Sequence, residues 1–170
     1  MQFDLIPHSD APPVAVGRVH VTFAPDRLRF EVAGAAALRL PTIAVPERTD
    51  ELWRTTCFEL FIKPDGGDAY VEFNFSPSTR WAAYAFDGYR AGMRDMAVTA
   101  APAIARDGDS WTVALSLSDL PEGDWRVALN AVIEEADGSK SYWALAHPDG
   151  GPDFHHDACF ALSIPAPRVA

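Results

Sequence analysis

The sequence predicts an all-β fold, a two-sheet antiparallel β-sandwich of jelly-roll or immunoglobulin-like form, and three observations lead there. Short segments alternate apolar and polar residues with period two, 14 prolines and 11 glycines punctuate them, and no window sustains a helical period. A chain of 170 residues with 48% hydrophobic residues is long and apolar enough to close one core without disulfide or metal staples, so a single domain over 1–170 is expected.

The elements follow in order. Val19, Val21 and Phe23 alternate with Arg18, His20 and Thr22. After the turn Ala24-Pro25-Asp26, Leu28, Phe30 and Val32 alternate with Arg29 and Glu31, giving a hairpin with one buried face. In the strand Cys57–Ile62, Phe58, Leu60 and Ile62 point one way, and Cys57, Glu59 and Phe61 the other. A turn at Pro64–Asp68 leads to a strand with Val71, Phe73 and Phe75 on the core side and Tyr70, Glu72, Asn74 and Ser76 opposite. Ser76-Pro77-Ser78 starts a turn, proline pre-setting its backbone angle, before an aromatic strand. Trp111, Val113, Leu115 and Leu117 mark a further strand, and Leu120-Pro121-Glu122-Gly123 turns the chain into a long one through Trp125, Val127, Leu129, Ala131 and Ile133. Asp137-Gly138 is a hairpin signal before Ser141–Ala146, and Cys159–Ile164 is the last expected strand before the tail PAPRVA.

Charge narrows the partners. Twenty-four acidic residues against 14 basic give a net charge of −10, and the arginines are scattered, so neither nucleic acid nor an anionic membrane surface is an expected partner. The start MQFDLIPHSDAPP has neither a positive n-region nor an apolar run, and no stretch has bilayer-spanning length, so a cytoplasmic location is expected. Cys57 and Cys159 are far apart in sequence; they could bridge, but two thiols without a secretion signal are more often buried and reduced.

If the two central strands pair through Pro64–Asp68, Glu59, Glu72 and Asn74 share one sheet face. A solvated outer face accounts for two glutamates there without further assumption. Their company points elsewhere: Trp53, Trp81, Tyr84, Tyr89 and Trp143 lie in or beside the same segments. Flat rings stack on the C–H faces of a pyranose, while carboxylates and amides bond vicinal hydroxyls. Arg90 is placed to pair with an acidic ligand or with Glu59 or Glu72. The loop HPDGGPDFHHD would close over the sheet and offer His147 or His155 to a ligand; otherwise its Asp and His side chains bond backbone. The candidate ligand-binding set is thus Trp53, Glu59, Glu72, Asn74, Trp81, Tyr84, Arg90, Trp143, His147 and His155.

The succession LWRTTCFELFI, a hairpin turn, YVEFNFSPSTRWAAYAF, a later Trp-containing strand and a closing FHHDACFAL resembles the DOMON-like superfamily, in the branch similar to family 9 carbohydrate-binding modules. The resemblance implies a β-sandwich that binds sugar or haem in a pocket on one sheet. Two tryptophans sandwich the sugar in that branch, and Trp53, Trp81 and Trp143 are the nominees here. Family 9 modules commonly carry an aspartate shortly before the Glu strand, where this chain has Thr55-Thr56-Cys57.

A noncatalytic domain binding a carbohydrate or other polyhydroxylated small molecule is the preferred expectation, with no catalytic residue, metal ligand or cofactor assigned. One alternative is a noncovalent haem or redox domain, since Met93, Met96, His147, His155 and His156 supply axial ligand types. Another is a small glycan-active enzyme using Glu59 and Glu72 as an acid–base pair. A third is a scaffold whose edge strands recruit a protein. Calcium could occupy Asp65–Asp68 or Asp107–Asp109, though neither has an EF-hand pattern, and the histidine loop matches no familiar zinc spacing.

Overall fold

The computed structural model describes residues 1–165. Its strands are β1 (Gln2–Asp4), β2 (Ile6–Pro7), β3 (Arg18–Ala24), β4 (Arg27–Ala33), β5 (Cys57–Pro64), β6 (Tyr70–Phe75) and β7 (Trp81–Phe86), followed by β8 (Arg94–Asp95), β9 (Ala103–Asp107), β10 (Ser110–Ala114), β11 (Trp125–Glu134), β12 (Lys140–Ala144) and β13 (Leu162–Ile164). They form two antiparallel sheets, ordered β1-β3-β4-β10-β9 and β2-β12-β11-β5-β6-β7-β8. The second sheet also takes β13, which pairs with the first residues of β11 while β12 pairs with the last ones.

The sheets face each other across one apolar layer. Val19, Val21 and Phe23 of β3 and Leu28, Phe30 and Val32 of β4 are buried, while the residues between them stay partly or fully exposed. Those side chains meet Phe58, Leu60 and Ile62 of β5, Phe73 and Phe75 of β6, and Leu129 and Ile133 of β11. Phe30 stacks on Phe58 with centroids 4.6 Å apart, and Phe58 meets Trp111 at 5.2 Å. The expected hairpins form, Val21 standing opposite Phe30 and Glu59 opposite Asn74.

Two strands are shorter than their sequence pattern. The alternation through Leu115 and Leu117 outlasts β10: Ala114 pairs with Arg27, the first residue of β4, and the Leu115 N–H makes one more bond, to the Asp26 carbonyl in the turn before it, at 3.0 Å. Leu117–Asp119 instead form a 3₁₀ turn. Likewise Cys159–Ile164 is strand only from Leu162, since Leu162 meets Val127 and the same edge of β11 passes to β12 from Asn130. Asp157–Cys159 are a 3₁₀ turn capped by His156, whose ring nitrogen accepts the Ala158 N–H at 3.1 Å. Of the tail PAPRVA, residues 166–170 lie outside the described residues.

The outer faces of the two sheets differ. That of the first sheet is largely solvated, whereas β5, β6, β7 and β11 are buried on both sides. The cover is the segment after β12, which lays Phe154, Cys159 and Phe160 against Phe61, Tyr70, Tyr84 and Phe86. Asp157 fastens it to Lys63 and to Arg126 (2.9 Å), and Arg126 also reaches the Phe160 carbonyl at 2.9 Å. Cys57 and Cys159 are both buried and free, so they do not pair.

Candidate functional site

On the outer face of the second sheet the register sets residues in rows across the strands. Ala144, Asn130, Glu59, Asn74 and Ala82 stand opposite one another on β12, β11, β5, β6 and β7. Phe61, Glu72 and Tyr84 form part of another row. Above Glu59 of the first row and Glu72 and Tyr84 of the second opens a cavity of about 970 Å³, whose walls also include Trp53, Arg90 and His155. Pockets for small organic ligands span roughly 300–1,000 Å³.

Glu59 and Glu72 form the polar floor of the cavity, and the first row puts the fully buried Asn74 and Asn130 beside Glu59 without bringing them to the cavity wall. Glu59 is 3% exposed and Glu72 5%. Asn74 donates to Glu72 Oε1 at 2.9 Å, leaving its own Oδ1 without a partner. Asn130 is fully buried with neither amide atom bonded. No donor among the described residues hydrogen-bonds the Glu59 carboxylate; burial pushes that carboxyl well above the usual range, and the charge of Glu72 adds to the push. Burial also raises Glu72 to about 7, against the opposing pull of Asn74 and Arg90. As diagonal neighbours on paired strands the two glutamates sit roughly 7–8 Å apart at Cα, close enough for each to resist ionisation of the other.

One wall is the segment carrying Asp153 and His155. The Tyr70 hydroxyl and His155 Nδ1 share a hydrogen bond of 2.8 Å, and the same phenol oxygen accepts the Arg90 N–H at 3.3 Å. The other imidazole nitrogen, Nε2, lies 3.8 Å from Glu72 Oε2. Burial, aided by Arg90, lowers His155 to about 4, so at neutral pH this contact is no ion pair. Asp153 latches the segment to the β7–β8 connection by accepting from Arg90 at 2.8 Å and from the Tyr89 hydroxyl. Arg90 therefore pairs with Asp153, not with Glu59 or Glu72.

Opposite, the 3₁₀ turn Leu52–Arg54 carries Trp53, 47% exposed, to the rim. Tyr84 donates to Asp50 at 2.7 Å, and burial together with that acceptor holds its phenol well above its usual value. Two of the non-glycine residues with left-handed backbone, Glu51 (φ 60°) and Arg90 (φ 51°), flank the cavity. Such conformations cost about 1–3 kcal/mol each and persist where the surroundings demand them.

Of the sequence-nominated residues, Trp53, Glu59, Glu72, Tyr84, Arg90 and His155 meet at the cavity, while Asn74 is fully buried and reaches it only through its bond to Glu72. Trp81 and Trp143 do not join them. Both project from the opposite side of the sheet into the sandwich core, 6% and 2% exposed. The Arg48 guanidinium lies 4.6 Å above the Trp81 ring, and the Trp143 indole donates to Ser141 at 2.8 Å. His147 donates through Nε2 to the Ile6 carbonyl at 2.7 Å, which ties the loop to β2 instead of turning it to the cavity. Among the described residues no three His, Cys, Asp or Glu side chains are grouped as a metal site.

Sequence reasoning missed Asn130, Phe86, Tyr142, Asp153 and Phe154. Asn130 carried a signal: an amide in the middle of the apolar run Val127–Ile133, on the same parity as Ala128 and Val132.

A crystal structure from Bacteroides uniformis, of a "putative carbohydrate-binding protein", superimposes on this chain with a TM-score of 0.61 at 14% identity, covering 94% of this chain and 83% of that one. The two chains share a fold. No protein-family model matches the sequence, and no curated protein matches it. No helix among the described residues is long and apolar enough to cross a membrane.

Proposed function

We propose that the cavity on the outer face of the second sheet binds a carbohydrate or another polyhydroxylated small molecule without chemically altering it. The observation that carries this reading is the Glu59 carboxylate, buried at the cavity floor with no hydrogen-bond donor. A carboxylate in that position costs several kcal/mol if it ionises unpaired, and hydroxyl donors from a ligand relieve that cost. Glu72 adds a second buried carboxyl to the cavity, and the aromatic side chains of Trp53 and Tyr84 stand beside the pair. The carbohydrate-binding name of the Bacteroides neighbour agrees with this reading.

Haem fits this cavity poorly. Met93 and His155 both line it, but the imidazole nitrogens are turned to Tyr70 and Glu72, and two glutamates make an unfavourable bed for a porphyrin. A purified sample with no Soret absorbance after haemin addition would exclude haem.

The carbohydrate reading is tested by isothermal titration against mono- and disaccharides, with Glu72→Ala as control. A saccharide that binds the native protein and not the variant supports it. No binding by any, or equal binding by both proteins, overturns it. The same panel assayed for cleavage products tests a glycan-active enzyme that uses Glu59 and Glu72.

A further inference from the structure

We infer that the ligand is an amino sugar in its ammonium form, with the cation received by the Glu59 and Glu72 carboxylates at the cavity floor. The inference rests on the carbohydrate reading and narrows its substrate class.

Charge in the cavity is sorted by depth. Its cations lie toward the mouth and are engaged: Arg90 with Asp153, Arg54 with Glu51, and Lys140 with the Arg54 carbonyl. The buried end holds two carboxylates, one bonded by a neutral amide and the other by nothing. The histidine turned toward them is neutral at neutral pH, and Arg90, whose charge reaches Glu72, is paired with Asp153, so among the described residues no cation is paired with either glutamate. A neutral hydroxyl can bond either carboxyl in its protonated form but brings no charge that would let the pair ionise together. An ammonium brings that counter-charge, and its three donors suit two carboxylates side by side. Glu59 itself is the sign of a ligand: it lines the cavity, is 3% exposed and has no hydrogen-bond partner among the described residues. The rings of Tyr84 and Phe86 in the wall suit a cation as well as a sugar face.

The test is isothermal titration with D-glucosamine, D-glucose, N-acetyl-D-glucosamine and cyclohexylamine, at about pH 6, where an amine is charged and Glu72 still carries its proton in the free protein. Two buffers of different ionisation enthalpy count protons. Glucosamine is expected to bind about tenfold or more tightly than glucose or the N-acetyl sugar, releasing protons as the glutamates ionise. That preference disappears in Glu59→Gln, or in Glu72→Gln if the first variant fails to give a cooperative unfolding transition. Equal affinity for the three sugars, or a preference retained by a folded glutamine variant, overturns the amine inference and leaves the carbohydrate reading standing. Binding of cyclohexylamine without any sugar keeps the carboxylate–ammonium pairing and removes the carbohydrate reading. No binding by any of the four overturns both.

Discussion

Glu72→Gln should make the protein more stable above neutral pH and change little in acid. The Glu72 carboxyl is buried, and its pKa is raised from 4.5 to about 7, chiefly by loss of hydration. At about 1.4 kcal/mol per unit, a shift of that size corresponds to about 3 kcal/mol. The sign follows from which state holds the proton. Below about pH 4.5 the group is protonated in both folded and unfolded chains and costs nothing. Between there and about pH 7 the native state retains a proton that the unfolded state has lost, so stability falls as pH rises. Above that range the full deficit is present.

Glutamine keeps the shape and can still accept from Asn74 through its carbonyl, while its amide nitrogen meets the open cavity. Removing the Glu72 charge also relieves Glu59, whose carboxyl that charge helps to raise. Both effects favour the variant at high pH. Urea unfolding followed by tryptophan fluorescence, from about pH 4 to pH 8.5, gives the difference directly, because other titrating groups largely cancel between the two proteins. The gain should grow from near zero to about 3 kcal/mol across the window. A difference that stays flat with pH, or a variant less stable than the native protein at the alkaline end, would refute the assignment of Glu72 as a buried, uncompensated acid.

Trp53→Ala should weaken binding of any saccharide that titrates while changing stability by less than about 1 kcal/mol, since the ring sits half exposed at the rim; Trp143→Phe should do the reverse, and melting curves paired with titrations separate the two. Arg90→Ala frees Asp153 and should speed amide exchange in residues 150–160 with little effect on exchange in β11, read by hydrogen–deuterium exchange mass spectrometry. Cys57 and Cys159 should stay inert to a thiol reagent at pH 8 until the chain is unfolded, because burial raises both thiols, Cys159 to about 12. Rapid labelling of the native protein would show that the covering segment opens.

The sandwich was legible because one face of each main strand repeats with period two, and a slip of one residue would turn Phe58, Leu60 and Ile62 out of the core. The same parity rule placed Glu59, Glu72 and Asn74 together. What sequence could not supply was the direction of residues whose strand parity was not counted. Trp81 pairs with Phe75, and Trp143 lies across from Ala131, so both share the core face even though they neighbour the site along the chain. His147 was lost for another reason: its partner is a backbone carbonyl 141 residues away, which leaves no trace in local pattern. Alternation runs past the strand ends where the paired strand stops, so Leu117 and Cys159 fall in 3₁₀ turns despite their period-two pattern.

What distinguishes this sheet from an ordinary two-sided one is the incomplete cover. The segment bearing Phe154 and Phe160 packs apolar rings over Phe61, Tyr70 and Phe86, so the chain already possesses the means to bury this face with hydrocarbon. Over Glu59 and Glu72 it does not, and the cavity opens there. An unpartnered buried polar group costs about 1–3 kcal/mol, and an apolar replacement for a buried carboxylate is often neutral or stabilising. Two buried carboxyls, Glu59 with no hydrogen-bond partner among the described residues and Glu72 bonded by Asn74, are therefore poor structural choices. They become favourable when something that hydrogen-bonds them enters the cavity, and the cost of the empty floor points to a ligand more strongly than any likeness of fold.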